Sequence, residues 1–494
     1  MDNQLYLGVD IGTYESKGVV TDSKGNLHGQ VAVKHEMIIP KQGWAEHDPM
    51  DVWWGDFTRI TRMILNDGNI SSKQIASVAV SAIGPCMLPI DRYTNPLYSG
   101  VLYGVDTRAS EEINYLNQII GKENILKFGG NSLTSQSIGP KILWLKKQYP
   151  EIYREAHKIV TSTTFIVQKL TGKCVIDHYS AANFSPFYDK SKLEWSDSLA
   201  PSIIEIRKLP ELKWTTEVAG HITKQASHET GLLEGVPVTV GTIDAAAEAI
   251  SVGVKRFGHM MVMYGSTMFF IGLIPSNESH ESLWSAPWLF EKEFSLMAGT
   301  STSGTITQWF RKEFAKDLDS SEAFSELTKL ASKSPAGSKN LITLPYFSGE
   351  RTPIQNPKAC GVLFGLNLTH TREDIYRSFL EGISYGANHI IETFVSSGFK
   401  PEKLFAVGGG TKNEIWVNSL SNISGYAQTL KTKTIGAAYG DAFLGALSLG
   451  HVERKDIDVW NQTKKVIKAS PNPIYSKQYK LFKALYKHTA HLMD

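Results

Sequence analysis

Cysteine is scarce in this chain of 494 residues: Cys86, Cys174 and Cys360 stand far apart and form no CxxC or Cys/His cluster. That spacing argues against a zinc site or a disulfide framework and points to reduced thiols in a cytoplasmic protein. An excess of charge of either sign is also missing. With 51 Lys and Arg against 49 Asp and Glu the net charge is +2, so no overall field draws the protein to nucleic acid or to an anionic membrane. The most apolar window, MMVMYGSTMFFIGLI at 260–274, is shorter than a bilayer span and is broken by Gly265, Ser266 and Thr267. Low-complexity tracts and long Pro/Ser linkers are absent, and the opening MDNQ residues bring no export segment with them. At this length a single core is excluded and two domains are expected, 1–253 and 254–494, with the change near 251–258.

The stretch that organises the chain is VPVTVGTIDAAAEAISVG at 236–253. Val236, Val238 and Val240 alternate as a strand, Gly241 breaks it, and a small-residue run from Asp244 reads as a helix. Asp244 therefore marks a helix start, where backbone N–H groups and the helix dipole favour an ionised carboxylate. An oriented carboxylate there is a candidate acceptor for a substrate hydroxyl, although an isolated Asp before an Ala-rich run is more often a simple cap.

Two hairpins echo one another. LYLGVDIGTYESKGVV holds Asp10, Gly12 and Thr13 in its turn, and FGHMMVMYGSTMFFIGLI holds Gly265, Ser266 and Thr267 in its own. Glycine admits a ligand to the backbone and the hydroxyl residue adds a donor, which suits a phosphate carrying Mg²⁺. Hairpin turns are rich in such residues anyway; it is the repetition some 250 residues apart that suggests two similarly built halves facing one nucleotide. Further along, SVAVSAIGP ends a buried strand at Gly84 and Pro85, and SGVLYGVDTRAS ends another at Asp106, with a surface pair to Arg108 an equal alternative. Lys141 is expected to be solvated. A triple glycine, 408–410, lies between a strand and a helix that Asn413 could open, and TIGAAYGDAFLGALSLG has the small residues of a helix packed tightly on a sheet.

In order and spacing, DIGT at 10–13, GWAEHDP at 43–49, VDTRA at 105–109, GTIDAAAEA at 241–249, YGST at 264–267, the SG…QW segment at 303–309, GLNLTHTREDIYRSFLEG at 365–382 and GGGTKNEIWVNSLSNISG at 408–425 resemble the FGGY family of carbohydrate kinases. The resemblance implies an α/β fold of two actin-like (ribonuclease H-like) domains, each a mixed sheet flanked by helices, with the active site in the cleft between them. It implies Asp244 as catalytic base and Asp10 as the acid that holds Mg²⁺ through its water shell. Thr13, Gly265 and Ser266 match the phosphate turns, Gly304 and Gln308 the nucleotide-contacting pair, and Gly409 and Asn413 the adenosine site. Gly84, Pro85 and Asp106 match sugar-binding positions. The implied reaction is ATP-dependent phosphorylation of a small sugar or polyol, with no nucleic-acid or membrane partner and with a homodimer as one oligomeric option.

The subfamily pattern is mixed. Length and the GWAEHDP and GTIDAAAEA segments resemble xylulokinase-like members, yet Gly84, Pro85 and Cys86 replace the usual Met-His-Gly, and VLYGVDTRA replaces Trp-Asn-Asp-Gly-Arg. Another ketopentose, a deoxy sugar, a polyol or gluconate therefore stands beside xylulose. A non-catalytic actin-like nucleotide switch is the reading from a different class; it would respond to nucleotide and ignore every sugar.

Overall fold

The protein is described here from a computed structural model covering residues 4–66, 70–319 and 322–493. Three strands open the chain: β1 (Leu5–Ile11), β2 (Glu15–Thr21) and β3 (Leu27–Lys34). They are followed by β4 (Glu46–His47), α1 (Gly55–Asn66) and β5 (Ile75–Ala82). After a largely helical interval come β6 (Val218–His221), β7 (Pro237–Thr239), β8 (Thr242–Ile243) and α2 (Asp244–Ser251). The remainder supplies β9 (His259–Tyr264), β10 (Met268–Ile274), β11 (Phe294–Gly299), α3 (Gly304–Phe314), α4 (Ala323–Lys333) and α5 (Arg372–Ser396). It ends with β12 (Lys403–Val407), α6 (Glu414–Ser424), β13 (Gln428–Lys431), α7 (Ala437–Ser448) and β14 (Thr463–Ile467).

Two units form. The first runs to Lys255 and also takes in Pro275–Ser295 and Ile435–Asn461; the second comprises Arg256–Ile274, Leu296–Thr434 and the residues from Gln462 onward. The single change of domain expected near 251–258 is thus one of several crossings, and packing explains why. A Cβ on Gly8 of β1 would lie 2.0 Å from Ala438 O, and one on Gly440 would lie 1.9 Å from Ala247 O. Helix α7 meets β1 and α2 backbone to backbone, so its small residues tie it to the first unit despite its late place in the chain.

In the first unit the sheet runs β6-β7-β5-β1-β2-β3, with β8 alongside β5. β1 is antiparallel to β2 and parallel to β5. Because Val9 pairs with Gly18 and Gly8 with Val19, Gly8 and Gly18 point to opposite faces. α7 covers the Gly8 face, and α1, through Ile60 and Ile64, covers the Gly18 face. A sheet covered on both sides explains why β1 is almost wholly buried rather than alternating.

The second unit repeats the device. β9 is antiparallel to β10 and parallel to β12, and its sheet continues β11-β10-β9-β12-β13-β14. Helix α6 packs on β9 through Trp416, whose ring lies 5.0 Å from that of Tyr264. As expected, Asn413 caps α6, accepting the Trp416 N–H at 3.1 Å.

Candidate active site

In the first unit, strand register gathers the acids. Ser81 of β5 pairs with Asp10 of β1 on one side and with Thr242 of β8 on the other. Asp10 and Asp244 therefore stand together at the carboxyl ends of parallel strands, where open α/β sheets bind ligands. Ser81 Oγ lies 3.2 Å from Asp10 Oδ1 and 2.6 Å from Asp441 Oδ2, and the Ser81 N–H donates to the same Asp441 oxygen at 3.1 Å. Asp441, on α7, is buried, and among the described residues its Oδ1 has no partner. Glu248 sits one turn beyond Asp244 on α2.

Crowding sets the electrostatics. Burial, then the charges of Asp244 and Glu248, hold Asp10 well above the carboxylate range. Burial also lifts Asp441 well above it, against the hydrogen bonds from Ser81. Burial raises Asp244 to about 7, and burial plus the charge of Asp244 raises Glu248 to about 7. Lys17, opposite Asp10 in the β1–β2 register, is the countercharge acting on Asp10 and Glu248. The expectation that a helix start would favour ionised Asp244 is therefore corrected. Ile243 is the capping residue, Asp244 is the first helical residue, and its carboxylate accepts the Ala245 N–H at 2.7 Å. Desolvation outweighs that bond.

Beyond these acids, the groups that feel the charge of Asp244 are tyrosines and a thiol. That charge raises the Tyr103, Tyr179 and Cys86 acidities' pKa further, burial being the main cause for all three and pushing the Cys86 thiol up to about 12. Tyr103 also bonds the Thr13 side chain. Gly84 is required to be small: a Cβ there would lie 2.8 Å from Ile243 Cγ1, just before Asp244. Pro85 and Cys86 are buried beside it.

Two expectations fail here. Asp106 is not at a strand end, because the strand before it covers only Gly100–Val101. The alternative pairing with Arg108 does form, although buried rather than at the surface. Fully buried, Asp106 accepts from the Ala45 N–H at 2.7 Å, from the Arg108 N–H, and from Arg108 Nε and Nη2 at 2.9 and 2.7 Å. Arg108 in turn reaches Glu46 at 2.8 Å. With its lone pairs so used, Asp106 has no acceptor left for a sugar hydroxyl. Lys141 is buried rather than solvated; it donates to the carbonyls of Leu102 and Tyr103, and burial lowers it to about 8.

The second unit places Gly265, Ser266, Gly304, Gln308, Gly409 and Asn413 on the wall of one cavity of about 590 Å³. Helix α4 adds Phe324, Thr328 and Lys329, and Tyr376, Lys412 and Trp416 complete its aromatic and basic lining. Among the described residues Asp and Glu are absent from that lining, which suits a ligand combining a flat ring with anionic groups. Gly409 has open space where a Cβ would project, so it forms a bare ledge. The turn is welded to α3: Gly304 N–H donates to Gly265 O at 3.1 Å and Ser303 N–H to Ser266 O at 2.9 Å. A Cβ on Gly304 would lie 2.4 Å from Gly265 O.

Family models match both parts of the chain: the N-terminal domain of the FGGY family of carbohydrate kinases over residues 5–251 and its C-terminal domain over 260–449. The chain belongs to the FGGY family of carbohydrate kinases. It is a sugar kinase acting on a small-molecule substrate. It is 26% identical over 444 residues to a xylulose kinase of Staphylococcus xylosus, covering 89% of this chain and 90% of that protein. To a gluconokinase of Bacillus subtilis it is 22% identical over 497 residues, 99% of this chain and 96% of the other. In fold it matches the crystal structure of a xylulose kinase from Rhodospirillum rubrum with a TM-score of 0.91 at 24% identity, covering 99% and 100% of the two chains. Among the described residues no helix is long and apolar enough to cross a membrane.

Sequence reasoning passed over Glu248, Asp441, Lys17 and Tyr103, which the fold gathers around Asp10 and Asp244. Two left a signal. Glu248 is four residues from Asp244, hence on the same helical face, and Asp441 is a lone acid in an otherwise apolar, small-residue helix.

Proposed function

We propose that this kinase transfers the terminal phosphoryl group of ATP to a primary hydroxyl of a small sugar, a ketopentose such as xylulose, in a cytoplasmic setting. The observation that carries this reading is Asp244: a carboxylate poised near neutrality at a helix start, beside the turn of Thr13 and the ring of Tyr103. Asp244 accepts the hydrogen bond of the acceptor hydroxyl and takes its proton as the new O–P bond forms and ADP leaves. Thr13 and the Gly265–Ser266 turn supply donors to the phosphate oxygens, while Gly304, Gln308, Gly409 and Asn413 hold the nucleoside. Gly84 and Pro85 shape the acceptor side.

A fit for Mg²⁺ rests on the acids. In the group Asp10, Asp244, Glu248 and Asp441, Lys17 is the countercharge acting on Asp10 and Glu248, and among the described residues Asp441 Oδ1 has no partner. Among the described residues no three His, Cys, Asp or Glu side chains are arranged to ligate an ion directly, so we assign Asp10 to hold it through its water shell. When bound, the ion neutralises charge developing on the phosphate oxygens.

A coupled ADP-release screen over D-xylulose, D- and L-ribulose, L-xylulose, glycerol, erythritol, arabitol and gluconate tests the reading. ADP release that depends on a sugar, greatest with a ketopentose, is the expected result. Nucleotide binding with no acceptor-dependent release would sink it in favour of a nucleotide switch.

A further inference from the structure

The first phosphate turn is held from within by two histidines that the reaction does not use. His35 follows β3 and His47 ends β4; both side chains are buried. His35 Nε2 lies 3.1 Å from Gly12 O, and His47 Nε2 lies 3.1 Å from Thr13 O. The next carbonyl, Tyr14 O, accepts the His35 backbone N–H at 3.0 Å. Three successive carbonyls of the turn are thereby tied to one wall.

Hydrogen-bond chemistry fixes the protons. Trp53 Nε1–H can only donate, and it meets His47 Nδ1 at 3.1 Å, so that nitrogen is the acceptor and Nε2 carries the hydrogen given to Thr13 O. Burial, with the nearby His35, lowers His47 to about 4, which keeps this ring neutral. His35 faces acceptors on both sides, Asp56 Oδ2 at 2.7 Å and Gly12 O at 3.1 Å. Asp56 is itself anchored by Ser16 and Arg59.

In a planar trans peptide the C=O and the following N–H point in opposite directions. Pinning Gly12 O and Thr13 O therefore turns the N–H groups of Thr13 and Tyr14 the other way, and among the described residues neither donates to a protein acceptor. We propose that His35 and His47 are positioning residues of the kinase, bracing the turn so that the Thr13 and Tyr14 amides are presented to the terminal phosphoryl group of ATP. This rests on the phosphotransfer reading above. It adds the device that makes the turn prefer a triphosphate to a diphosphate.

The test uses side chains that separate the two contacts of each ring. His47→Asn keeps an acceptor for Trp53 but falls short of Thr13 O, whereas His47→Gln restores a donor at the Nε2 position. His35→Asn keeps a donor for Asp56 and gives up Gly12 O, and serves if the first variant does not fold. The expected result for His47→Asn is a loss of about tenfold in MgATP affinity with MgADP affinity unchanged, the scale of one hydrogen bond. The kcat should fall by a similar factor while the KM for sugar and the melting temperature hold, and His47→Gln should recover most of both losses. Equal loss of ATP and ADP binding, or an Asn variant no worse than the Gln variant, would overturn the brace. The ATP-to-ADP affinity ratio is measured by calorimetry without any sugar, so a wild-type protein lacking sugar-dependent ADP release would refute the proposed function and leave the brace to be judged on that ratio.

Discussion

The two turns of this kinase share a backbone and differ in everything around it. Each joins an antiparallel hairpin whose first strand has a parallel neighbour: β1, β2 and β5 in one unit, β9, β10 and β12 in the other. In the first unit the turn stands among carboxylates, with its carbonyls tied by two imidazoles. In the second the turn borders a cavity whose described lining holds no carboxylate, and its carbonyls are tied by the N-terminal amides of α3. The same loop thus stands in two different chemical settings. Acids pushed towards neutrality suit an ion and a proton acceptor, and a bare glycine ledge with aromatics suits a nucleoside.

Substitutions confined to one unit should separate these roles. The largest effect is expected from Gly440→Ala, whose Cβ would meet Ala247 O at 1.9 Å and drive α7 off α2. Overpacking against rigid backbone should cost about 3 kcal/mol, read as a lowered melting temperature, while nucleotide affinity below the transition is retained. Gly304→Ala strikes the other unit: its Cβ would press on Gly265 O. The expected result is a rise of about tenfold in the KM for ATP, the scale of losing one turn contact, with the KM for sugar unchanged.

The smallest effect concerns pH, and it belongs to the acidic unit alone. Asp244 and Glu248 are raised to about 7 in the folded protein, against about 4 in an unfolded chain. The folded state keeps protons that the unfolded chain has already released, so their contribution to stability is fully present below about 4 and is lost as pH rises through about 7. In chelator, the melting temperature should therefore fall between pH 5 and pH 8. Magnesium should raise it at pH 8 and do little at pH 5; a flat profile would show that these acids are not strained together.

Much of this was legible before folding. The hairpins, the helix start at Asp244, the cap at Asn413 and the glycine ledge are local features, set by turn residues and apolar period. What could not be read depends on contacts between distant segments. Asp106 reads equally as a strand-end acid or as a surface partner of Arg108, because the sequence does not show that the pair is buried or that the Ala45 N–H takes a further lone pair. Lys141 looked solvated because its carbonyl partners lie some forty residues earlier. The ionisation of Asp244 was misjudged for the same reason: cap chemistry is local, whereas burial beside Asp10 and Asp441 is not. The return of α7 to the first unit followed from glycines whose partners only the fold reveals.

The most direct measurement is the Asp244→Asn variant, followed by ADP release with and without sugar and by ATP binding on the same preparation. The account predicts a loss of at least about 10²-fold in sugar-dependent ADP release, with ATP affinity within a few-fold of wild type. Undiminished turnover, or ATP binding lost together with activity, would contradict it.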